Sequence, residues 1–160
     1  MKILKNYLKN ISKISLELDM NKLSKIENII FHKIRNDNKI FVCGNGGAAS
    51  VANHFLCDFN KGIKISSKKK LNPKVISLSN SLETILAISN DISFKKIFTF
   101  QLENYFSHGD ILICLSCSGS SPNIVDVLNY CKKNKIFSIS FTGFAKKKFQ
   151  QKSDINLNIG

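Results

Sequence analysis

Two segments could bind an anion, because each places small polar residues directly after an apolar run. The first, residues 44–47, reads Gly-Asn-Gly-Gly and follows the apolar run 39–43. The second, residues 116–121, reads Ser-Cys-Ser-Gly-Ser-Ser and follows the apolar run 111–115. Free N–H groups at a helix N-terminus, together with serine hydroxyls, favour a phosphate group. The sequence therefore predicts two phosphate-type turns. A plain strand-to-helix turn or a polar capped loop is the alternative.

Neither turn carries the signature of a nucleotide site. A P-loop needs Gly-Lys followed by Ser or Thr, and neither segment contains a lysine. The dinucleotide motif G-x-G-x-x-G is not matched, because Ala49 stands where its last glycine would be. These patterns argue against nucleoside triphosphates and dinucleotides, and they favour phosphate or a phosphosugar.

A histidine and a carboxylate follow the glycine turn. His54 and Asp58 are four residues apart in a helix-compatible stretch, so both side chains can face one site. Such a pair suits a divalent metal or proton transfer, although a surface pair is the alternative. His32 and His108 have no comparable neighbours and are interpreted as surface or packing residues.

Composition narrows the class of protein. The chain has 160 residues, of which 43% are hydrophobic, and a formal net charge of +13. This length favours a single domain spanning residues 1–160. Arg35 is the only arginine and the lysines are scattered, which argues against a nucleic-acid partner. No apolar stretch reaches the length of a membrane span, and the N-terminus lacks a signal-peptide pattern.

The cysteines indicate a reducing compartment. The count is five, and an odd number without a secretory segment argues against a disulfide framework. Cys43, Cys114 and Cys131 lie in apolar stretches and are interpreted as small core residues. The cytoplasm is therefore the expected location.

The elements that position these residues alternate between strand and helix. Residues 1–36 are predicted as N-terminal helices with a break at 19–21 and Asn21 as a cap. Gly62 is expected to end the helix after the glycine turn, with a mobile loop over 63–72. Asn80 or Ser81 could cap the next helix, and Ser121 the helix after the serine turn. The predicted strands are 39–43, 74–78, 111–115, 136–141 and 154–159, and the helices that follow the first strand are 48–59, 82–91, 94–105 and 123–134, with a basic helix or loop over 144–151.

This alternation predicts a three-layer α/β/α sandwich around a mostly parallel five-stranded sheet. Ligands of such sheets bind at the carboxyl ends of the strands. Residues 44–47 and 116–121 are therefore expected at the same edge. The N-terminal helices carry apolar residues on more than one side, so they could pack against a partner chain or be buried on two sides within one domain.

The paired turns resemble those of the sugar isomerase (SIS) domain. The likeness rests on residues 44–47 with His54, Phe55 and an acidic residue at 58, followed by residues 115–123. Residues 90–91 (Asn-Asp) and 98–103 also resemble the family's segment between the two turns. Within the family, the chain is most similar to the phosphoheptose isomerases.

The resemblance implies a flavodoxin-like fold and the isomerisation of sedoheptulose 7-phosphate to D-glycero-D-manno-heptose 7-phosphate, a step toward lipopolysaccharide heptose. It also implies a homotetramer with residues 1–36 in the interface and active sites shared between subunits. His54 matches a zinc ligand, and Asp58 matches a residue that binds zinc and acts as acid and base. The implied substrate-binding residues are Asn45, Gly46, Gly47, Asp91, Ser116, Cys117, Ser118 and Ser121.

Several positions differ from the family pattern. Asp58 stands where the family has glutamate, Ala48 where it usually has serine, and Cys117 where it often has threonine. The family's C-terminal helix, with a Gln and a His that complete the metal site, has no counterpart before Gly160. Half of the zinc ligand set is therefore expected to be missing. Two alternatives stay open: a non-catalytic SIS module that binds a phosphosugar or a protein such as the replication initiator, and an isomerase of another phosphosugar.

Overall fold

Five parallel strands form one sheet within residues 1–144 and 152–159, which the computed structural model of the protein describes. They are β1 (Lys39–Gly44), β2 (Lys74–Ser77), β3 (Ile111–Ser116), β4 (Phe137–Thr142) and β5 (Ile155–Asn158). Their order is β2-β1-β3-β4-β5, and every neighbouring pair is parallel. This is the order of a flavodoxin-like doubly wound sheet, so the predicted fold class is confirmed. Most of the predicted basic segment 144–151 lies outside the described residues.

Helices cover both faces of this sheet. A π-helical segment, Asp58–Ile63, joins α3 to α4, and a 3-10 turn, Phe94–Lys96, precedes α6. None of the described helices is both long and apolar enough to cross a membrane. The helices are α1 (Lys2–Leu16), α2 (Met20–Arg35), α3 (Gly47–Cys57), α4 (Lys64–Ser66), α5 (Leu82–Asp91), α6 (Ile97–Tyr105) and α7 (Pro122–Lys133).

The central strand β3 divides the core into two layers. Its apolar residues 111–114 are fully buried, as expected of a parallel strand covered on both faces. Leu112 and Cys114 face a cluster that contains residues of α5, α6 and α7. Ile111 and Ile113 face a second cluster that contains residues of α2 and α3. Because α3 and α7 lie on opposite faces, the chain turns to one face of the sheet after β1 and to the other face after β3.

The N-terminal residues form two helices, but the predicted cap is wrong. Asp19 caps α2, because its Oδ1 accepts a hydrogen bond from the Lys22 N–H at 3.0 Å, and Asn21 lies inside the helix. This bond lowers the pKa of Asp19. Of these two helices, α2 contributes Ile26 and Ile34 to the core, whereas α1 buries no residue.

The helix after the glycine turn does not end at Gly62. The π-helical segment carries the chain through this glycine into α4, and Gly62 does not adopt a positive φ. Two contacts explain the extension. Asn60 pairs its side chain with the Val75 backbone through two bonds of 2.9 Å, and Phe59 packs against the second core cluster. The left-handed residues come later, at Lys68 and Lys69, so part of the predicted mobile loop is helical.

The cysteines are free thiols, and three of them lie in the core as predicted. Cys43 and Cys114 are register partners on β1 and β3, with their Sγ atoms 3.5 Å apart. The hydrogen bond with Cys43, followed by burial, raises the pKa of the Cys114 thiol, and burial raises that of Cys131. These thiols therefore stay protonated and unreactive.

Candidate active site

The two predicted turns meet at the point where the sheet reverses its winding. Gly44 at the end of β1 is the register partner of Leu115 near the end of β3, so both turns leave the same edge. The helix after β1 covers one face and the helix after β3 covers the other, which opens a crevice between them. The prediction that residues 44–47 and 116–121 share one edge is confirmed.

The glycine turn brings α3 close to the end of β1. A Cβ on Gly44 would lie 2.8 Å from backbone atoms of Ala48, so no larger residue fits without a shift. Gly46 has a φ of +53° and precedes the first residue of α3. Ser79 holds the turn from beneath, because its hydroxyl donates to the Gly44 carbonyl at 2.9 Å and accepts from the Gly44 N–H at 3.1 Å.

The serine turn is shaped by its own hydroxyls. Ser116 Oγ accepts from the Gly119 N–H at 3.1 Å, and Ser118 Oγ accepts from the Ser120 N–H at 3.3 Å. Ser121 precedes α7 as predicted, but its side chain does not cap the helix, whereas Pro122 occupies the first turn as expected. The Ser121 hydroxyl is therefore not used by the helix cap, and Ser121 lines the cavity between the turns.

Two asparagines join the turns to each other. Asn45 Nδ2 donates to Asn123 Oδ1 at 2.8 Å, and Asn123 Nδ2 donates to Asn45 Oδ1 at 2.9 Å. The first residue lies in the glycine turn and the second in the first turn of α7. This reciprocal amide pair fixes the width of the crevice between the two helix N-termini.

A cavity of about 650 Å³ lies between the turns. It brings together most of the residues that the sequence predicts to bind substrate. Gly46 is exposed beside the cavity, and Asp91 lies exposed at the end of α5, where it accepts from Asn90 Nδ2 at 2.8 Å. The described lining comprises Asn45, Gly47, Ala48, Val51, Leu115, Ser116, Cys117, Ser118, Ser121, Phe141, Thr142, Gly143, Phe144 and Ile159.

Sequence reasoning missed the part of this wall that comes from β4. Phe141 and Thr142 end that strand, and Gly143 donates its N–H to the Cys117 carbonyl at 3.0 Å. The rule that ligands bind at the carboxyl ends of parallel strands applies to β4 as it does to β1 and β3, so it could have indicated these residues.

His54 lies farther along α3, and Asp58 is the first residue of the π-helical segment that continues it. His54 Nδ1 is 2.9 Å from Asp58 Oδ2, and their side chains are 74% and 64% exposed. They line a second cavity of about 350 Å³ with Ser50, Val51 and Phe55. Val51 lines both cavities, so one stripe of α3 connects the turns to this pair. His32 and His108 are exposed elsewhere, as predicted.

The pair supplies two donors of the kind that zinc binds. Imidazole nitrogen and carboxylate oxygen are both common zinc ligands, but a tetrahedral site needs four. Within residues 1–144 and 152–159, no group of three or more His, Cys, Asp or Glu residues could hold a metal ion. Among the described residues, only these two donors of that kind therefore meet at this position.

Comparison with known proteins identifies the family. The family model described as "SIS domain" matches residues 5–143. A probable phosphoheptose isomerase of Thermoplasma acidophilum is 32% identical over 155 residues, which cover 97% of this chain and 84% of that protein. This chain belongs to the SIS domain family, among the phosphoheptose isomerases.

Further matches to this SIS domain agree with that assignment. The phosphoheptose isomerase of Buchnera aphidicola is 34% identical over 158 residues, which cover 99% of this chain and 77% of the relative. The solved structure of phosphoheptose isomerase from Neisseria gonorrhoeae superposes with a TM-score of 0.84 at 24% identity, covering 99% of this chain and 84% of that one. At this identity the superposition shows a shared fold.

Proposed function

We propose that the protein is an aldose–ketose isomerase that interconverts sedoheptulose 7-phosphate and D-glycero-D-manno-heptose 7-phosphate. One observation carries the proposal. A single stripe of α3 runs from the two phosphate-type turns, past Val51, to a histidine–carboxylate pair. Such a stripe can hold the phosphate of a sugar at one end and present acid–base chemistry at the other.

The length of this stripe suits a seven-carbon substrate. Gly47 and His54 are seven residues apart, which is about 10 Å along a helix that rises ~1.5 Å per residue. An extended seven-carbon sugar phosphate spans about 10 Å from phosphorus to C1, given single bonds of roughly 1.5 Å. A phosphate between the turns would therefore bring C1 and C2 close to His54 and Asp58.

The phosphate end needs no lysine. Hydroxyls of Ser116, Ser118 and Ser121 line the cavity, and α3 and α7 both begin at its wall. Helix N-termini and serine hydroxyls together stabilise a dianion with fixed dipoles. Asn45 lies between the phosphate end and the sugar chain, where an amide can bind a hydroxyl.

Asp58 is the proposed acid and base. Its carboxylate removes a proton from C1 of the open-chain ketose and leaves an enediol between C1 and C2. The same proton returns to C2, while a hydroxyl proton moves from O1 to O2 as the carbonyl shifts to C1. No oxidant or reductant is required. His54, 2.9 Å from Asp58, holds the carboxylate in place for this transfer.

Zinc is the proposed metal at His54 and Asp58. When bound, it would polarise the oxygens on C1 and C2 as a Lewis acid. The pair supplies two donors, and water or groups outside the described part of the chain would supply the others. The observation that supports this proposal is the distance of 2.9 Å between two zinc-type donor atoms one helical turn apart.

A homotetramer is the proposed assembly. The α1 helix buries no residue although Leu4, Leu8 and Ile11 are apolar and at helical spacing, so a second subunit has an unburied stripe to cover. Exposed Asp58 also needs shielding from bulk water, which a neighbouring subunit can provide. In such an assembly Asp91 would bind substrate across a subunit boundary.

The proposed location is the cytoplasm, which the free thiols of the five cysteines support. The proposed product would supply lipopolysaccharide heptose.

The direct test is turnover of sedoheptulose 7-phosphate, followed by NMR, with added zinc and with a chelator. The expected result is conversion to the manno-heptose phosphate by wild type and none by Asp58→Asn. If wild type does not convert the sugar but is still protected by it against thermal unfolding, the protein is a phosphosugar-binding module and the isomerase proposal is wrong.

A further inference from the structure

Asn123 is the most deeply placed polar residue near the cavity, yet it does not line it. Its relative exposure is 0%, and it packs in the first turn of α7 beside the buried Ile124 and Val127. A buried amide is costly unless its groups are hydrogen-bonded. A leucine of similar size would fill this position without that requirement, so packing alone does not account for an asparagine here.

The hydrogen bonds of Asn123 have a defined direction. The Ile124 N–H donates to Asn123 Oδ1 at 2.9 Å, which fixes the oxygen end of the Asn123 amide. Its Nδ2 must then point toward Asn45, where it donates to Oδ1 at 2.9 Å. Asn45 Nδ2 in turn donates to Asn123 Oδ1 at 2.8 Å. A backbone N–H of α7 thus sets the orientation of both amides.

This orientation determines what the Asn45 amide offers to a ligand. A primary amide has two N–H donors and two acceptor lone pairs, and the pair with Asn123 uses one of each. One donor and one acceptor of Asn45 remain, and Asn45 lines the cavity. A sugar hydroxyl both donates and accepts, so it can satisfy both groups at once.

We infer that Asn123 is a positioning residue, which holds the Asn45 amide so that its free N–H and C=O face the hydroxyl chain of the substrate. This inference rests on the proposed phosphosugar function. Asn123 acts only through Asn45 and does not touch the ligand. The proposed contacts of the phosphate are the serine hydroxyls of the other turn and not the Asn45 amide, so the pair should matter more for the sugar chain than for the phosphate.

A double-mutant cycle on ligand affinity tests the inference. Asn123→Leu is similar in size, adds no charge and removes the donor to Asn45, and we expect it to weaken sedoheptulose 7-phosphate binding about fivefold to tenfold. The affinity for inorganic phosphate, which has no hydroxyl chain for the Asn45 amide to bind, should fall by a smaller factor than the affinity for sedoheptulose 7-phosphate. In an Asn45→Ala background, the same substitution at 123 should have no further effect on affinity. Independent, multiplying effects would overturn the inference.

Thr99→Val is the matched control for stability. It removes another buried hydrogen bond to α7, because the Thr99 hydroxyl donates to Asp126 Oδ2 at 2.6 Å, and it does not contact Asn45. We expect it to lower the melting temperature without changing the affinity for either ligand. A loss of sugar affinity in this variant equal to that of Asn123→Leu would mean that general loosening of α7 is responsible.

A readout without ligand separates this inference from the proposed function. The side-chain NH₂ signals of Asn45, assigned by their loss in Asn45→Ala, should be resolved in wild type, and the proton donated to Asn123 should be protected from solvent exchange. Asn123→Leu should remove this protection, with Asn123→Asp as the second variant if the leucine protein does not fold. Unprotected Asn45 signals in wild type would overturn the positioning role, whether or not the protein binds a phosphosugar.

Discussion

The two ends of α3 differ in how firmly their polar groups are held. At its N-terminus, Gly44, Asn45 and the serine turn are fixed by hydrogen bonds to Ser79, to Asn123 and within the turn itself. At the other end, His54 in the last turn of α3 and Asp58 at the start of the π-helical segment contact each other but stay exposed. The difference indicates that a single chain preorganises the proposed binding end, whereas the proposed reactive end, His54 and Asp58, is held only by the contact between these two residues.

The largest expected effect is on catalysis and comes from substitution of Asp58. Asp58→Asn should lower kcat about a thousandfold, because it removes the proposed acid and base, while the Kd for sedoheptulose 7-phosphate should change less than about threefold. Initial rates and calorimetry measure the two quantities. Asp58→Glu should retain activity, since a glutamate keeps the carboxylate, and Glu83→Gln on α5 is an inert control. Loss of binding in parallel with kcat would show that Asp58 belongs to the binding end.

The next effect concerns the rigidity of the binding end. Gly44→Ala should lower the free energy of unfolding by about 2 kcal/mol, because its Cβ would meet the Ala48 backbone at 2.8 Å and push α3 away from β1. Gly47→Ala is the matched control, since a Cβ there meets nothing within 4 Å. Urea denaturation measures the free energy of unfolding of both variants. Equal stability of the two variants would contradict the close approach at Gly44.

A similar loss of stability is expected at the opposite end of the α3 extension. Asn60→Ala removes two hydrogen bonds of 2.9 Å to the Val75 backbone, and we expect it to cost about 2 kcal/mol. Asn72→Ala, an exposed change just before β2, should leave stability unaltered. Urea denaturation again distinguishes them, and an unchanged midpoint for Asn60→Ala would mean that the extension is held by its apolar contacts alone.

The smallest expected effect is on ligand affinity and comes from substitution of a serine at the proposed phosphate end. Ser118→Ala should weaken sedoheptulose 7-phosphate binding about tenfold, because it removes one charge-assisted hydrogen bond to the phosphate. Ser120→Ala lies in the same turn but outside the cavity lining, so its affinity should change less than about twofold. Titration calorimetry measures the affinity of both variants for sedoheptulose 7-phosphate. Identical affinities would place the phosphate away from Ser118.

Much of the fold could be predicted from sequence because the apolar runs are short, continuous and followed by small residues. The run 111–115 predicted the buried central strand, and the alternation of elements predicted the parallel sheet. The winding rule then brought the glycine and serine turns together. Those steps depend on local patterns and on topology, and both are recorded in the sequence.

The errors come from side chains that act at a distance. Glycine is a common residue at helix C-termini, so the sequence predicts that Gly62 ends the helix. The helix instead continues through Gly62, because the Asn60 side chain is hydrogen-bonded to the Val75 backbone. Asp19 and Asn21 are both good caps, and only the geometry of α2 selects Asp19. Asn123 has no local signal at all, because its partner is 78 positions away in sequence. Contacts of this kind cannot be derived from spacing or propensity.

The pairing of Asn60 with Val75 also bears on solubility. β2 is the outermost strand on its side of the sheet, and an exposed strand edge is a template for pairing with another chain. The Asn60 side chain occupies both the N–H and the C=O of Val75 on that edge. With Pro73 before the strand and Lys74 at its start, this leaves little backbone free for edge-to-edge association. The Asn60 side chain in the π-helical segment is thus expected to disfavour pairing of the β2 edge with another chain.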